Sequence, residues 1–252
     1  SRVGFIGTGH IAAPMVRFLA RRGHQITVSQ RNAQVAAQLR NQCGVEIAEN
    51  QAVVDGSDIV FLCVRPHLAE EALPALSFRP DHKIVSVMAG VSLAEIRGLC
   101  APASDITITI PLGFLECGGC PLPAFPRETI LKPLFEPENP VFEVSNEAAF
   151  NQHFAVCAFV PGLLDLMAST ACWLKTHTCD EAQAEVYTHQ LVSGFLSSVS
   201  TENSGFLKRE RDALATDGTI SLMMTHGLKE AGAHEALCNM LDLIGARLGG
   251  KT

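Results

Sequence analysis

The sequence predicts an α/β fold, a doubly wound and mostly parallel sheet followed by an all-α C-terminal domain. Three observations carry that reading. Short, near-continuous apolar runs alternate with helix-length segments over the first 110 residues, the pattern of a parallel sheet covered on both faces. The first such unit closes around a glycine-rich turn within about thirty residues. From Ser145 onward no strand pattern recurs, and only helix-length stretches follow.

Taken in order, Val3 to Ile6 forms the first strand and runs into Gly7-Thr8-Gly9-His10-Ile11-Ala12, which fits G-x-G-x-x-A. A helix with Ile11, Met15, Phe18 and Leu19 as its apolar residues follows, stopped by Gly23. Gln25 to Ser29 is the second strand. In such a β-α-β unit the first glycine permits the tight turn. The second lets a pyrophosphate approach the backbone, and the small third residue allows close helix–strand packing. The anion then rests on the free amides of the helix N-terminus. Gly7, Thr8, Gly9, His10 and Ile11 are therefore candidate dinucleotide contacts in a Rossmann-type domain.

The end of the second strand reads Ser29-Gln30-Arg31-Asn32, without the acid that usually accepts from the ribose hydroxyls of NAD. A hydroxyl, amides and a guanidinium suit a 2′-phosphate instead, so the expected cofactor is NADP in its reduced form, NADPH.

The alternation continues with a helix over 33–42, a strand at Val45 to Ile47, a helical turn at 51–55 and a strand from Asp58 to Val64. A helix over 67–76, a strand from Lys83 to Val87, a helix over 92–100 and a strand over 105–110 follow. The Pro- and Gly-rich stretch 111–126 breaks the rhythm. A short helix near 127–135 and a strand at 141–144, on an antiparallel edge, end a dinucleotide-binding domain of residues 1–145. Residues 146–252 are expected to form a helical dimerisation and substrate domain. Its first helix runs over 147–159, is interrupted at Pro161-Gly162 and resumes to about residue 176. Asp180 with Gln183 opens a helix over 181–200, and further helices cover 203–215, 219–231 and 233–248, with Gly232 and Gly249 as stops. Residues 154–174 are apolar almost all round, so the segment must be buried, and a second copy of the chain is the expected cover. A homodimer, or a higher oligomer built from it, is the expected assembly.

The composition is that of a globular chain: 252 residues, 47% hydrophobic and 18% charged. A net charge of −7 argues against a general nucleic-acid surface. The uninterrupted apolar runs read as too short to cross a bilayer, and no targeting segment precedes the first strand, so a cytoplasmic location is expected. The nine cysteines lie scattered through apolar segments, as reduced thiols do. Cys117 and Cys120 make the one C-x-x-C and lack a second pair, so no metal is expected.

The glycine fingerprint, Asn50 after the third strand, Cys63-Val64-Arg65-Pro66 and Ser86-Val87-Met88-Ala89-Gly90-Val91 together resemble the pyrroline-5-carboxylate reductase family. That family reads V-K-P and S-x-x-A-G-V at the last two places. The resemblance implies that Asn50, Cys63, Val64, Pro66, Ala89 and Gly90 border the cofactor. It also implies hydride transfer from NADPH to a small cyclic imine, pyrroline-5-carboxylate giving proline or a related compound. Two departures stand out. Pro111-Leu112-Gly113 occupies the place of P-N-T, and Thr216-Asp217-Gly218-Thr219-Ile220-Ser221 the place of S-P-G-G-T-T, which in the family holds the substrate carboxylate. Thr219 and Ser221 are the candidate substrate contacts. Asp217 would repel a carboxylate or, in the simpler reading, cap the next helix.

The β-hydroxyacid dehydrogenases are similar at Gly4-Phe5-Ile6-Gly7, Pro14-Met15 and Gly23-His24. They carry a catalytic lysine inside the first long helix of their second domain, where this chain reads Pro161 to Leu166 and has no lysine before Lys175. An imine reductase needs less, because a protonated C=N is already electrophilic. Asp165 and His10 are the polar residues weighed for proton chemistry, and neither is assigned a catalytic role. A non-catalytic NADP-binding regulator is the reading from another class.

Overall fold

The computed structural model of the protein describes residues 1–250. Its strands are β1 (Arg2–Ile6), β2 (Gln25–Ser29), β3 (Glu46–Ala48), β4 (Ile59–Leu62), β5 (Lys83–Ser86), β6 (Asp105–Thr109), β7 (Leu122–Phe125) and β8 (Val141–Glu143). They form one sheet in the order β3-β2-β1-β4-β5-β6-β7-β8, parallel from β3 through β6. On this Rossmann-like sheet lie α1 (Ala12–Arg21), α2 (Ala33–Cys43), α3 (Asn50–Asp55), α4 (Pro66–Ala72), α5 (Leu93–Leu99) and α6 (Lys132–Phe135). The central strands read as apolar runs because both faces are covered: all four residues of β4 are buried, and Phe5 of β1 stacks on Phe61 of β4 at 4.8 Å between centroids. The order in which strands are added reverses at β1, between β2 and β4, and such a switch point opens a crevice beyond the carboxyl ends of the strands.

Within 111–126 the structure adds elements that no periodicity announces. A 3-10 turn covers Gly113–Cys117, and β7 pairs antiparallel to β6, with Thr109 opposite Ala124. Pro121, Pro123 and Pro126 disguise β7 as loop. The edge strand β8 pairs parallel to β7, so both run against the other six.

The chain divides into two compact units, residues 1–154 with the C-terminal residues from Arg247, and Ala155–Ala246. The division falls inside α7 (Glu147–Cys157), later than the expected boundary at 145/146. The first turns of α7 belong with the sheet, because Phe150 is buried and the Leu93 N–H donates to the Glu147 carboxylate at 2.7 Å.

The second unit holds α8 (Phe159–Thr178), α9 (Glu181–Ser198), α10 (Phe206–Leu214), α11 (Ile220–Glu230) and most of α12 (Ala233–Leu248). The break between α7 and α8 comes at Ala158, and α8 runs through Pro161 and Gly162 rather than stopping there. Pro161 sits in the first turn, where a missing N–H costs nothing. Asp180 caps α9 as expected, accepting from the Gln183 N–H at 3.1 Å.

The expected burial of 154–174 is not met within one chain. Ala171 is the only residue of α8 that is buried, while Leu166 is 64% and Trp173 63% exposed. Neither α10 nor α11 buries any residue. Within Glu147–Thr178 an 18-residue stretch reaches a mean hydropathy of 1.7, so by length and composition alone this segment is long and apolar enough to cross a membrane.

Candidate functional site

The site grows from the turn between β1 and α1. Gly7 has φ +94°, and a Cβ there would lie 2.7 Å from the carbonyl carbon and oxygen of Cys63 at the end of β4. The turn is fastened on its other side by Ser29. The Gly7 N–H donates to the Ser29 hydroxyl at 2.9 Å, and the Thr8 hydroxyl donates to the Ser29 carbonyl at 2.7 Å. Gly9 differs from Gly7. A Cβ on it would meet no protein atom within 4 Å, so the space beside it is open to a ligand. Ile11, at the N-cap of α1, makes no side-chain capping bond, and the first turn carries no acid. This end of α1 suits an anion.

Around the turn lies a cavity of about 530 Å³ lined by Gly7, Thr8, Gly9, His10, Ile11, Arg31, Asn32, Cys63, Val64, Arg65 and Leu68. Nine of the residues expected from sequence thus share one cleft, and Arg65 and Leu68 join them. Arg65 was legible as the residue between Val64 and Pro66, and it adds a second guanidinium to that of Arg31. Among the described residues no carboxylate lines the cavity. The Cys63 thiol is pushed up in pKa by burial and stays protonated, so it is a wall and not a nucleophile.

The other expected residues stand elsewhere. Ser29 is fully buried, with its hydroxyl held by the Gly7 amide, so it braces the loop where a contact to phosphate had been expected. Gln30 is exposed and donates its amide to Glu49, and Asn50 opens α3. Pro66 opens α4 and faces a smaller cavity shared with Val91 and Glu95. Ala89 and Gly90 form the turn after β5, where Gly90 has φ +74°. In the helical unit Thr219, not Asp217, is the N-cap of α11, accepting from the Leu222 N–H at 3.1 Å while its hydroxyl donates to the Thr216 carbonyl at 2.6 Å. Asp217 is left exposed on the loop before it. Lys175, the lysine of α8, is paired with Glu181 at 2.5 Å.

A doubly wound sheet with a glycine turn at its switch point, opening on a cleft lined by guanidinium groups, defines a dinucleotide-dependent oxidoreductase. Residues 2–90 match the family model described as NADP oxidoreductase, coenzyme F420-dependent. Over 269 aligned residues the chain is 26% identical to pyrroline-5-carboxylate reductase 3 of Danio rerio, covering 98% of this chain and 90% of that one. The structure is similar to 1-pyrroline-5-carboxylate reductase of Streptococcus pyogenes, with a TM-score of 0.83 at 19% identity over 99% of this chain and 98% of that one. It is equally similar to Plasmodium falciparum pyrroline carboxylate reductase with NADP bound, with a TM-score of 0.83 at 12% identity over 99% and 97% of the two chains. Across its whole length the chain is thus similar to pyrroline-5-carboxylate reductases in sequence and in fold.

Proposed function

We propose that this chain is an NADPH-dependent reductase of a cyclic imine, with pyrroline-5-carboxylate as substrate and proline as product. The observation that carries the reading is the single cleft in which the glycine turn meets Arg31 and Arg65 with no carboxylate on its wall. The open space beside Gly9 and the uncapped start of α1 fit a pyrophosphate, and the two guanidinium groups fit phosphate charge. The bound dinucleotide supplies the hydride. The protein's part is to position a protonated imine and exclude water, which asks for no strong acid or base. The paired Lys175 supports this over the hydroxy-acid chemistry that needs a lysine. Asn50, Pro66, Ala89 and Gly90 complete the cofactor contacts in this reading. The start of α11, with Thr219 as its N-cap and Ser221 in its first turn, receives the substrate carboxylate on backbone amides.

The working assembly is a homodimer in which a second copy covers the apolar surface of the helical unit. That surface carries Asp165, Lys175 and His177 among its apolar residues, which suits a protein partner better than lipid. A cytoplasmic location completes the proposal, supported by the scatter of the nine cysteines through apolar segments of the sequence.

The test is to mix purified protein with NADPH and pyrroline-5-carboxylate and follow loss of reduced-cofactor absorbance together with proline formed. Equal amounts of both support the reductase. Saturable NADPH binding with no oxidation overturns it in favour of a regulatory nucleotide-binding protein.

A further inference from the structure

The acid missing from the end of β2 is present one strand away. Ser29 and Ala48 are the last registered pair of β2 and β3, so Gln30 and Glu49 leave the sheet side by side. The Gln30 side-chain amide donates to the Glu49 carboxylate. Glu49 precedes α3 with an extended backbone, φ −61° and ψ 151°, and makes no capping bond there, so capping does not account for an acid at this place. Immediately after Gln30, Arg31 and Asn32 enter the wall of the cleft. Asn32 is already used, its side chain accepting from the Val35 N–H at the start of α2. The β2 end therefore carries one cation, Arg31, directly after a residue, Gln30, whose amide holds one carboxylate, Glu49.

These two charges have opposite preferences. A 2′-phosphate is attracted by Arg31 and repelled by a carboxylate, whereas the free ribose hydroxyls of NADH donate well to an acid. Building on the reductase reading above, we propose that Gln30 and Glu49 form a cofactor-specificity clasp. Gln30 ties up the Glu49 carboxylate and lets Arg31 decide the choice for NADPH; releasing Glu49 turns the same site toward NADH. Gln30 acts as a positioning residue, through Glu49, and its amide is the switchable part.

The test is titration calorimetry of NADPH and NADH against the full chain, for wild type, Gln30→Ala, Glu49→Gln and the double variant. Both residues are exposed, so the variants fold, as circular dichroism will check. Gln30→Ala is expected to lower the NADPH/NADH affinity ratio about tenfold, and Glu49→Gln to raise it. In the Glu49→Gln background the Gln30→Ala effect is expected to vanish, since no carboxylate remains to release. A ratio that Gln30→Ala leaves within roughly twofold of wild type, or an equal shift with Glu49 already removed, overturns the clasp alone. A wild-type chain that binds neither nucleotide overturns the dinucleotide reading, and the clasp with it.

Discussion

The Gly7 N–H and the Ser29 hydroxyl are 2.9 Å apart, and that bond, beside the one from the Thr8 hydroxyl to the Ser29 carbonyl, joins the loop after β1 to the last residue of β2. Both partners are buried, so neither can turn to water if the other is removed. Ser29→Ala is expected to destabilise the protein by about 1–3 kcal/mol and to weaken NADPH binding by loosening the loop. Urea unfolding and calorimetry read the two effects separately. An unchanged unfolding midpoint would show that the bond contributes nothing.

Arg31 is the cation that enters the cleft from the end of β2. Arg31→Ala is expected to weaken NADPH about ten- to a hundredfold while changing NADH only slightly, because the lost charge-assisted bonds belong to the 2′-phosphate. Equal losses for the two nucleotides would place Arg31 on the shared pyrophosphate instead.

Asp217 lies two residues before the N-cap of α11 and is exposed. Asp217→Asn is expected to lower KM for the anionic imine about two- to fivefold, with NADPH affinity and kcat unchanged. Steady-state kinetics at low ionic strength is the measurement. A raised KM would mean that Asp217 helps to order the loop.

His82 is fully buried, and its Nδ1 accepts from the Arg79 N–H at 3.0 Å. Burial first, and the Arg79 guanidinium second, lower its pKa from the usual 6.5. The unfolded chain therefore binds a proton that the folded one refuses. Stability is full above the unfolded value and falls as pH drops below it. The urea midpoint of the wild type is expected to fall from about pH 7 to about pH 5.5, and His82→Phe to flatten that slope at a fixed cost from the lost bond.

The exposed face of α8 and α9 includes Leu166, Trp173 and Leu191. Leu166→Glu and Leu191→Glu are each expected to convert a dimer to monomer in light scattering, since a buried, unpaired charge opposes association. Wild-type protein that is monomeric at all concentrations would remove the second copy as the cover.

Much of this was open to reading along the chain, for reasons visible in particular residues. The turn at Gly7 and the parallel strands announce themselves locally, because a buried strand must be apolar and a left-handed turn needs glycine. β7 was hidden, because Pro123 inside it and prolines on either side carry the chemistry of a loop. Glu49 was missed for a different reason. It is nineteen residues from Gln30 in sequence and becomes its neighbour only through the pairing of β2 with β3. The partner of Ser29 was likewise invisible, since a serine at a strand end reads equally well as a ligand contact or a brace. Pro161 misled in the opposite sense, breaking the helix on paper while sitting harmlessly in the first turn of α8.

The two glycines of the turn answer to different demands. At Gly7 a side chain collides with the backbone of Cys63, whereas at Gly9 it enters empty space. A library screened only for folded protein would purge substitutions at Gly7 and pass them at Gly9; one screened for nucleotide capture would purge both. The difference between the two surviving populations would outline the bound cofactor from the protein's side, before any ligand had been seen.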